Sequence, residues 1–299
     1  KMQYRFLATA TPSPNDYVEL GTSSEALGYL GHMDMLTKFF TNNADTISPN
    51  GIGVKWRLKG HATEAFFQWV SGWSISARKP SDLGFSDERH ILPALIENDH
   101  IVTNDAPLVI NGQFSMFNQV ARTMPEIHAE RKATIEKRAE KAVELGSAHE
   151  CTVYWCNLNE EAEMVATLDR SAVEIRGGMS IEKKEEILKA FADGQIKKLI
   201  TKPKITAWGL NWQHCNHAVT FPGFSFEQYY QLVRRFYRFG QTREVTISDG
   251  QVRILQAIEA KAEKASNLFS MLNANLNKSY DVQKRAFDQT INLPSFLQK

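Results

Sequence analysis

Glu227-Gln228-Tyr229-Tyr230-Gln231-Leu232-Val233-Arg234-Arg235-Phe236-Tyr237-Arg238-Phe239-Gly240-Gln241 decides how the rest of the chain is read. Gln231, Arg235 and Arg238 fall at i, i+4 and i+7, the spacing that puts all three on one face of a helix. Two guanidiniums a turn apart make a fork for a polyanion, and arginine is the side chain suited to a fixed bidentate grip on phosphate. Tyr230, Val233 and Tyr237 lie on a different stripe and can anchor the helix. A surface helix with ordinary arginines has the same pattern, so the stretch has to be read with its neighbours.

Upstream, Leu199-Ile200-Thr201-Lys202-Pro203-Lys204-Ile205-Thr206-Ala207-Trp208-Gly209-Leu210-Asn211-Trp212 reads as a short apolar strand, a loop and then Gly-Leu-Asn. The end of a parallel strand followed by small and hydroxyl residues is where an α/β sheet places its ligand loops. Gly209 permits a backbone shape or a close approach that a Cβ would forbid. Gln213-His214-Cys215-Asn216-His217-Ala218-Val219-Thr220-Phe221 follows as another strand, ended by Pro222-Gly223. Thr152-Val153-Tyr154-Trp155-Cys156 is an apolar strand before an acidic helix, Asn159 to Leu168. Val173 to Ser180 is a strand ending in Gly177-Gly178-Met179-Ser180. The helix Ile181 to Phe191 comes next, with apolar Ile187, Leu188 and Phe191.

The order strand, Gly-Leu-Asn, strand, turn, Gln-x-x-x-Arg-x-x-Arg-x-Gly-Gln resembles motifs V and VI of the superfamily 2 helicases and translocases, in their Swi/Snf-like form. The strand at Thr152 is similar to motif IV. Phe6-Leu7-Ala8-Thr9-Ala10-Thr11-Pro12 resembles motif III, a strand end that closes the first RecA-like lobe. The likeness covers nearly the whole chain. It is nearest to DEAD/DEAH-box-type helicases carried by phages and prophages, whose motif III runs on as Pro14-Asn15-Asp16-Tyr17 does here.

The resemblance implies an α/β fold: the end of a first RecA-like lobe with a helical and hairpin insertion over residues 1–110, a linker and charged helix over 111–145, a second RecA-like lobe over 146–250, and a helical extension over 251–299. It implies Arg238 as an arginine finger, with Arg235 beside it on a γ-phosphate, and Gln231 orienting them or contacting the nucleotide. Gly209 and Asn211 would link an ATP cleft to a nucleic-acid track. Gly178, Ser180, Thr201 and Lys202 would hold DNA phosphates, and Thr9, Ala10 and Thr11 would couple the two functions. ATP and Mg²⁺ are the implied cofactors. Duplex DNA, rather than RNA, and a first lobe are the implied partners. The Phe239-Gly240-Gln241 ending leans toward the duplex-DNA translocases.

A motor of this class also needs a P-loop, G-x-x-x-x-G-K-[ST], to wrap the triphosphate. No Gly-Lys dipeptide occurs in the 299 residues. Asp87-Glu88-Arg89-His90 spells a D-E-x-H box, but it follows motif III, and Pro80 to Ser86 before it is loop-like. It is read as a chance match. Lys1 precedes Met2, which fits a fragment, and the chain by itself is expected to be inactive as an ATPase. Two other functions fit the same residues: a non-catalytic nucleic-acid- or partner-binding module, and part of an RNA helicase.

Composition narrows the classes further. A net charge of +1 gives no global basic signal, so any nucleic-acid contact comes from a local patch. Three cysteines and no signal-like start point to a reducing cytosol, in a bacterial or phage-infected cell if the resemblance holds. No apolar run reaches the roughly 20 residues that span a bilayer. Phe66, Phe67, Trp69, Val70 and Trp73 fall at helical spacing over Thr63 to Trp73, which points to core rather than a base-stacking surface. Asn50-Gly51 is a hairpin signal. Ile91 to Val102 resembles the exit strand from the first lobe. Met124 to Leu145 carries mixed charges at helical spacing, the mark of a solvated helix, with Arg131 and Arg138 free to touch DNA. His214, Cys215 and His217, with Cys151 and Cys156, fit no zinc spacing, so no metal site is expected.

Overall fold

The computed structural model describes residues 4–42, 56–100, 102, 109–110, 113–114, 124–206, 209–221, 223, 225–249 and parts of 262–274. By its contacts the chain divides into two units, Lys1–His90 with Lys261–Lys299, and Ile91–Ala260.

In the first unit, two short helices, α1 (Leu20–Leu27) and α2 (His32–Phe39), are separated at Gly28. Gly28 has φ 85°, a left-handed backbone that glycine adopts without the cost a Cβ would add. The strands β1 (Phe40–Asn42) and β2 (Trp56–Leu58) pair antiparallel as the arms of the expected hairpin, whose Asn50-Gly51 tip lies outside the described residues. Helix α3 (Thr63–Ser71) buries Phe66, Phe67 and Val70. Phe66 meets Phe39, Phe40 and Phe67 edge-on at 5.3–5.5 Å between ring centres, the arrangement that ring quadrupoles favour. Leu268 and Leu272 complete this core. The aromatic stretch is therefore core, as its spacing indicates.

The segment Phe6 to Ala10 does not form the strand its apolar residues suggest. Phe6 is 91% exposed, and Tyr4 and Leu7 are open to solvent as well. A buried strand needs a neighbour to take its backbone hydrogen bonds. The β1–β2 pair is the only sheet among the described residues of this unit, and it does not include 6–10. Glu88 to His90 forms one exposed short 3-10 turn, with the half-buried Asp87 just before it. There Asp87 accepts from the Ser81 amide and pairs with Lys79 at 3.0 Å, so the D-E-x-H lettering has no strand beneath it.

The second unit opens with β3 (Leu95–Asp99). A two-residue ribbon follows, β4 (Val109–Ile110) with β5 (Gln113–Phe114). Two helices come next, α4 (Met124–Ala133) and α5 (Ile135–Ser147). The chain then alternates: β6 (Thr152–Trp155), α6 (Asn159–Leu168), β7 (Val173–Glu174), α7 (Ile181–Ala192), β8 (Lys198–Thr201), α8 (Pro203–Thr206), β9 (His217–Thr220), α9 (Phe226–Phe236) and β10 (Val245–Asp249).

Six strands form one all-parallel sheet in the order β3-β10-β9-β6-β8-β7. The expected α/β class is thus the observed one: a parallel RecA-like sheet with flanking helices. Strand β3, expected at the exit of a first lobe, is instead the edge strand of this sheet, paired with β10 from Val245↔Leu95 to Asp249↔Asp99.

Successive strand side chains point to opposite faces. Val153 and Trp155 therefore pack with α7 and α9, while Tyr154 and Cys156 pack with α5 and α6. Helices on both faces explain why β6 and β9 are buried at every position.

The charged stretch Met124 to Leu145 exposes Glu136, Lys137, Glu140 and Glu144, as a solvated helix would, but it is not one continuous solvated helix. It breaks at Thr134, and its arginines turn inward. Arg138 Nη1 lies 2.7 Å from Glu161 Oε1 and Arg131 Nη2 lies 3.7 Å from it, with Glu161 wholly buried. Arg138 also donates to Thr134 Oγ1 and the Arg131 carbonyl, and its guanidinium sits over the Phe221 ring. Sequence reading left these arginines facing solvent or DNA. The structure gives them a structural role because Glu161, the only counter-charge in this pocket among the described residues, arrives from α6.

Candidate nucleotide and nucleic-acid site

Helix α9 starts at Ser225, whose Oγ accepts from the Gln228 amide at 3.3 Å. It buries Phe226, Leu232, Val233 and Phe236 against the sheet. This fixes the azimuth of Gln231 and Arg235, both of which are nearly buried. Arg235 donates from Nε to the Gln231 carbonyl at 3.1 Å and from Nη2 to Gln231 Oε1 at 3.1 Å. Its Nη1 donates to the Leu210 carbonyl at 2.7 Å. Three of the five guanidinium N–H donors are thereby spent on the protein. Burial, with the neighbouring Arg238 charge as a lesser cause, lowers the proton affinity of Arg235 from the ordinary guanidinium range.

The helix closes at Phe236, so Arg238 does not continue the helical face as the i, i+4, i+7 spacing predicts. The chain turns out through Tyr237 and through Gly240 at φ 92°. Arg238 is exposed and still reaches the same carbonyl as Arg235, Leu210 O, at 3.4 Å. Two cations thus converge on the Gly-Leu-Asn loop by different routes. Arg234 lies between the rings of Tyr230 and Tyr237, 5.0 and 5.5 Å from their centres.

Gln241 makes this turn rigid. Its buried amide nitrogen lies 3.1, 3.4 and 3.2 Å from the carbonyls of Gln213, Cys215 and Phe236. Its oxygen accepts from the Thr242 and Arg243 amides. The sequence marks Gln241 only as the last letter of a motif. Its work is to tie the end of α9 to the entry of β9.

Gly209 has φ 74°, and a Cβ there would meet nothing within 4 Å. Backbone shape, not close approach, is what requires glycine at this position. Asn211 is exposed and donates to Gln213 Oε1 at 3.2 Å. The Trp212 amide bonds the Arg235 carbonyl at 3.0 Å, so the loop and α9 hold each other directly.

Of the remaining predicted residues, Gly178, Ser180 and Lys202 lie outside the strands of this unit and Thr201 ends β8. Gly178 is exposed, with open space where a Cβ would stand. Ser180 caps α7 and accepts from the Lys183 amide at 3.3 Å. Lys202 Nζ donates to Asn159 Oδ1 at the start of α6. Thr201 differs from expectation: it is 1% exposed, and its hydroxyl bonds Thr206 Oγ1 at 3.2 Å inside the protein. Thr9, Ala10 and Thr11 belong to the other unit, where the Thr11 amide donates to Thr9 Oγ1 at 3.1 Å.

Among the described residues no group of three His, Cys, Asp or Glu side chains could hold a metal ion. No helix among them is long and apolar enough to cross a membrane.

Among solved structures, the chain is similar to the C-terminal part of the Fun30 ATPase domain, with 16% identity and a TM-score of 0.36 over 49% of this chain and 56% of that one. It is similar to the C-terminal domain of the DEAD-box protein Dbp5, with 16% identity and a TM-score of 0.38 over 48% and 91%. It is also similar to a DEAD box protein from the hyperthermophile Methanococcus jannaschii, with 18% identity and a TM-score of 0.38 over 44% and 37%. The chain thus spans about half of the Fun30 chain it matches. No curated protein matches its sequence. Residues 136–240, which hold α5 through the Arg238 turn, match the family model of the helicase conserved C-terminal domain, and this chain therefore carries a helicase C-terminal domain.

Proposed function

We propose that the chain is the rear part of an ATP-dependent nucleic-acid translocase or helicase of the Swi/Snf-like, phage-borne kind, acting on duplex DNA. Its second lobe supplies cations to an ATP held by a first lobe. The observation that carries this reading is the convergence of Arg235 and Arg238 on the Leu210 carbonyl. Phosphoryl transfer is catalysed mainly by positioning and charge neutralisation. Arg235, braced by Gln231, keeps two N–H donors beyond those spent on the protein for a γ-phosphate, and the more exposed Arg238 is the finger. Because these cations arrive on one lobe and the nucleotide on the other, the catalytic charge is complete only when the cleft closes.

Gly209 and Asn211 sit on the loop both arginines grip, so a shift of that loop registers at the cations. Gly178, Ser180 and Lys202 hold backbone phosphates, and Thr201 fixes the strand end from which Lys202 projects. Such contacts carry no base information, which suits a motor that steps along any sequence. Of the residues 1–110 expected to end a first lobe, 1–90 remain outside the second unit, and we read them as the rear of that lobe, with Thr9, Ala10 and Thr11 as its coupling segment. Mg²⁺ and most of the ATP contacts belong to that lobe's P-loop and acidic strand.

The test is Arg238→Ala in a protein that also carries a P-loop lobe. Nucleic-acid-stimulated ATPase should fall by roughly 10³- to 10⁵-fold, while nucleic-acid binding stays nearly unchanged. Turnover near wild type in that variant would falsify the finger assignment. Stimulation by duplex DNA above that by RNA is expected, and the reverse order assigns the protein to RNA.

A further inference from the structure

The turn that carries Arg238 needs a support outside its own side chain. Helix α9 has ended at Phe236, Arg238 is exposed, and its bond to the Leu210 carbonyl is 3.4 Å long. That is beyond the roughly 2.7–3.2 Å of a well-formed bond, so it does not fix a long guanidinium side chain by itself. Gln213 supplies the support. It is half-buried, two residues after Asn211, and the sequence gives it no role. Its side-chain oxygen accepts from Asn211 Nδ2 at 3.2 Å. A primary amide has one accepting and one donating end, so this contact sets its orientation. The nitrogen end donates to the carbonyl of Phe239, the residue after Arg238. The backbone of Gln213 holds the same turn a second time. Its carbonyl accepts from Gln241 Nε2 at 3.1 Å, and the Gln241 amide donates to the Arg238 carbonyl at 3.0 Å. Gly240 makes room for the brace: a Cβ there would stand 2.8 Å from Gln213 Nε2, and a φ of 92° already disfavours any side chain.

We infer that Gln213 is the positioning residue for Arg238: it aims the finger by gripping the Phe239 carbonyl, and it takes its own orientation from Asn211. Its amide bridges the Gly-Leu-Asn loop and the Arg238 turn with one hydrogen bond to each. Loop and turn therefore move together, because a displacement of Asn211 rotates the Gln213 amide and draws Phe239 with it. A nucleic acid held on the Asn211 side is in this way registered at the finger. Gln213 acts through Arg238 and touches no reacting atom. The inference rests on the finger reading of Arg238, whereas the brace itself does not.

Two variants separate the two ends of the amide. Gln213→Met keeps the length and loses both bonds. Gln213→Glu keeps the oxygen that faces Asn211 but sets a second oxygen against the Phe239 carbonyl. Hydrogen exchange of the full chain, followed by mass spectrometry, reads the peptide over the Arg238–Gln241 turn. Its exchange should be roughly 2- to 10-fold faster in both variants, as for the loss of one hydrogen bond, while peptides from β6 and β8 keep wild-type rates. Wild-type exchange at the turn in Gln213→Glu overturns the inference, because the Phe239 bond then holds nothing. A rise across the whole sheet overturns it too, since Gln213 would then serve the fold rather than the turn. In a protein that also carries a P-loop lobe, both variants should lower the nucleic-acid-stimulated kcat by up to roughly 10²-fold, the cost of misplacing a catalytic group by about 1 Å, with KM for ATP unchanged. A raised KM with wild-type kcat overturns the inference, because it puts Gln213 in binding rather than in aiming. Wild-type kcat in the Gln213 variants beside an inactive Arg238→Ala overturns it and leaves the finger in place. Wild-type kcat in Arg238→Ala as well removes the finger and the inference with it, and the exchange rates still report on the brace.

Discussion

His217 shows how one buried side chain sets a pH response. Burial first, and the stacked His149 second, hold its imidazole at about 3, against an ordinary value of 6.5. Between these two values the unfolded chain binds a proton that the folded chain refuses, so stability falls as pH drops from 6.5 toward about 3. The urea midpoint measured across that window should decline toward acid. His217→Asn, which cannot titrate, should flatten the decline, and an unchanged slope in that variant would place the titration on other groups. The sequence shows a histidine flanked by Asn216 and Ala218 but not its depth. Depth comes from β10 and β6, which cover β9 on both edges. Likewise, Gln231, Arg235 and Arg238 were legible as cations with a brace, whereas the carbonyl they share was not. Leu210 lies on another loop, and no spacing rule links it to α9.

At the scale of elements, α4, α5 and α6 form one electrostatic unit. Glu161 takes two arginines on Oε1, and its Oε2 accepts from the Asn157 and Leu158 amides, both at 2.9 Å. Removing a buried charge strands its partners without solvent, which typically costs about 3–5 kcal/mol. Glu161→Ala should therefore lose about that much in chemical denaturation. Breaking the exposed Lys183–Glu186 pair should cost under about 1 kcal/mol. Equal losses from the two changes would refute the structural role of the Glu161 cluster. The charged helices were misread because mixed charge at helical spacing ordinarily means solvent. The exception needs a counter-charge that lies 23 residues from Arg138 in sequence. Helices α6, α7 and α9 were legible because each begins after a strand and carries an apolar stripe.

For the whole molecule, the two contact units hold separate cores: an aromatic one in residues 1–90 with 261–299, and the two faces of the parallel sheet in 91–260. A fragment of residues 91–260 has its six strands and their covering helices and should fold alone, with a cooperative thermal transition by circular dichroism. A fragment that stays unfolded would mean that this sheet depends on the other unit. By itself the sequence determined the α/β class, the strands at Thr152, Val173, Leu199 and His217 with the helices at Asn159, Ile181 and Phe226, and the helix that carries Gln231 and Arg235, because period, caps and glycines are local signals. The tertiary structure alone decided that Leu95–Asp99 joins this sheet, that Phe6–Ala10 forms no strand, that Arg131 and Arg138 turn inward, and that Arg238 leaves its helix to meet Leu210. Each of these depends on a hydrogen-bonding or charge partner that is distant in sequence, and such a partner leaves no periodic mark on the residues it selects.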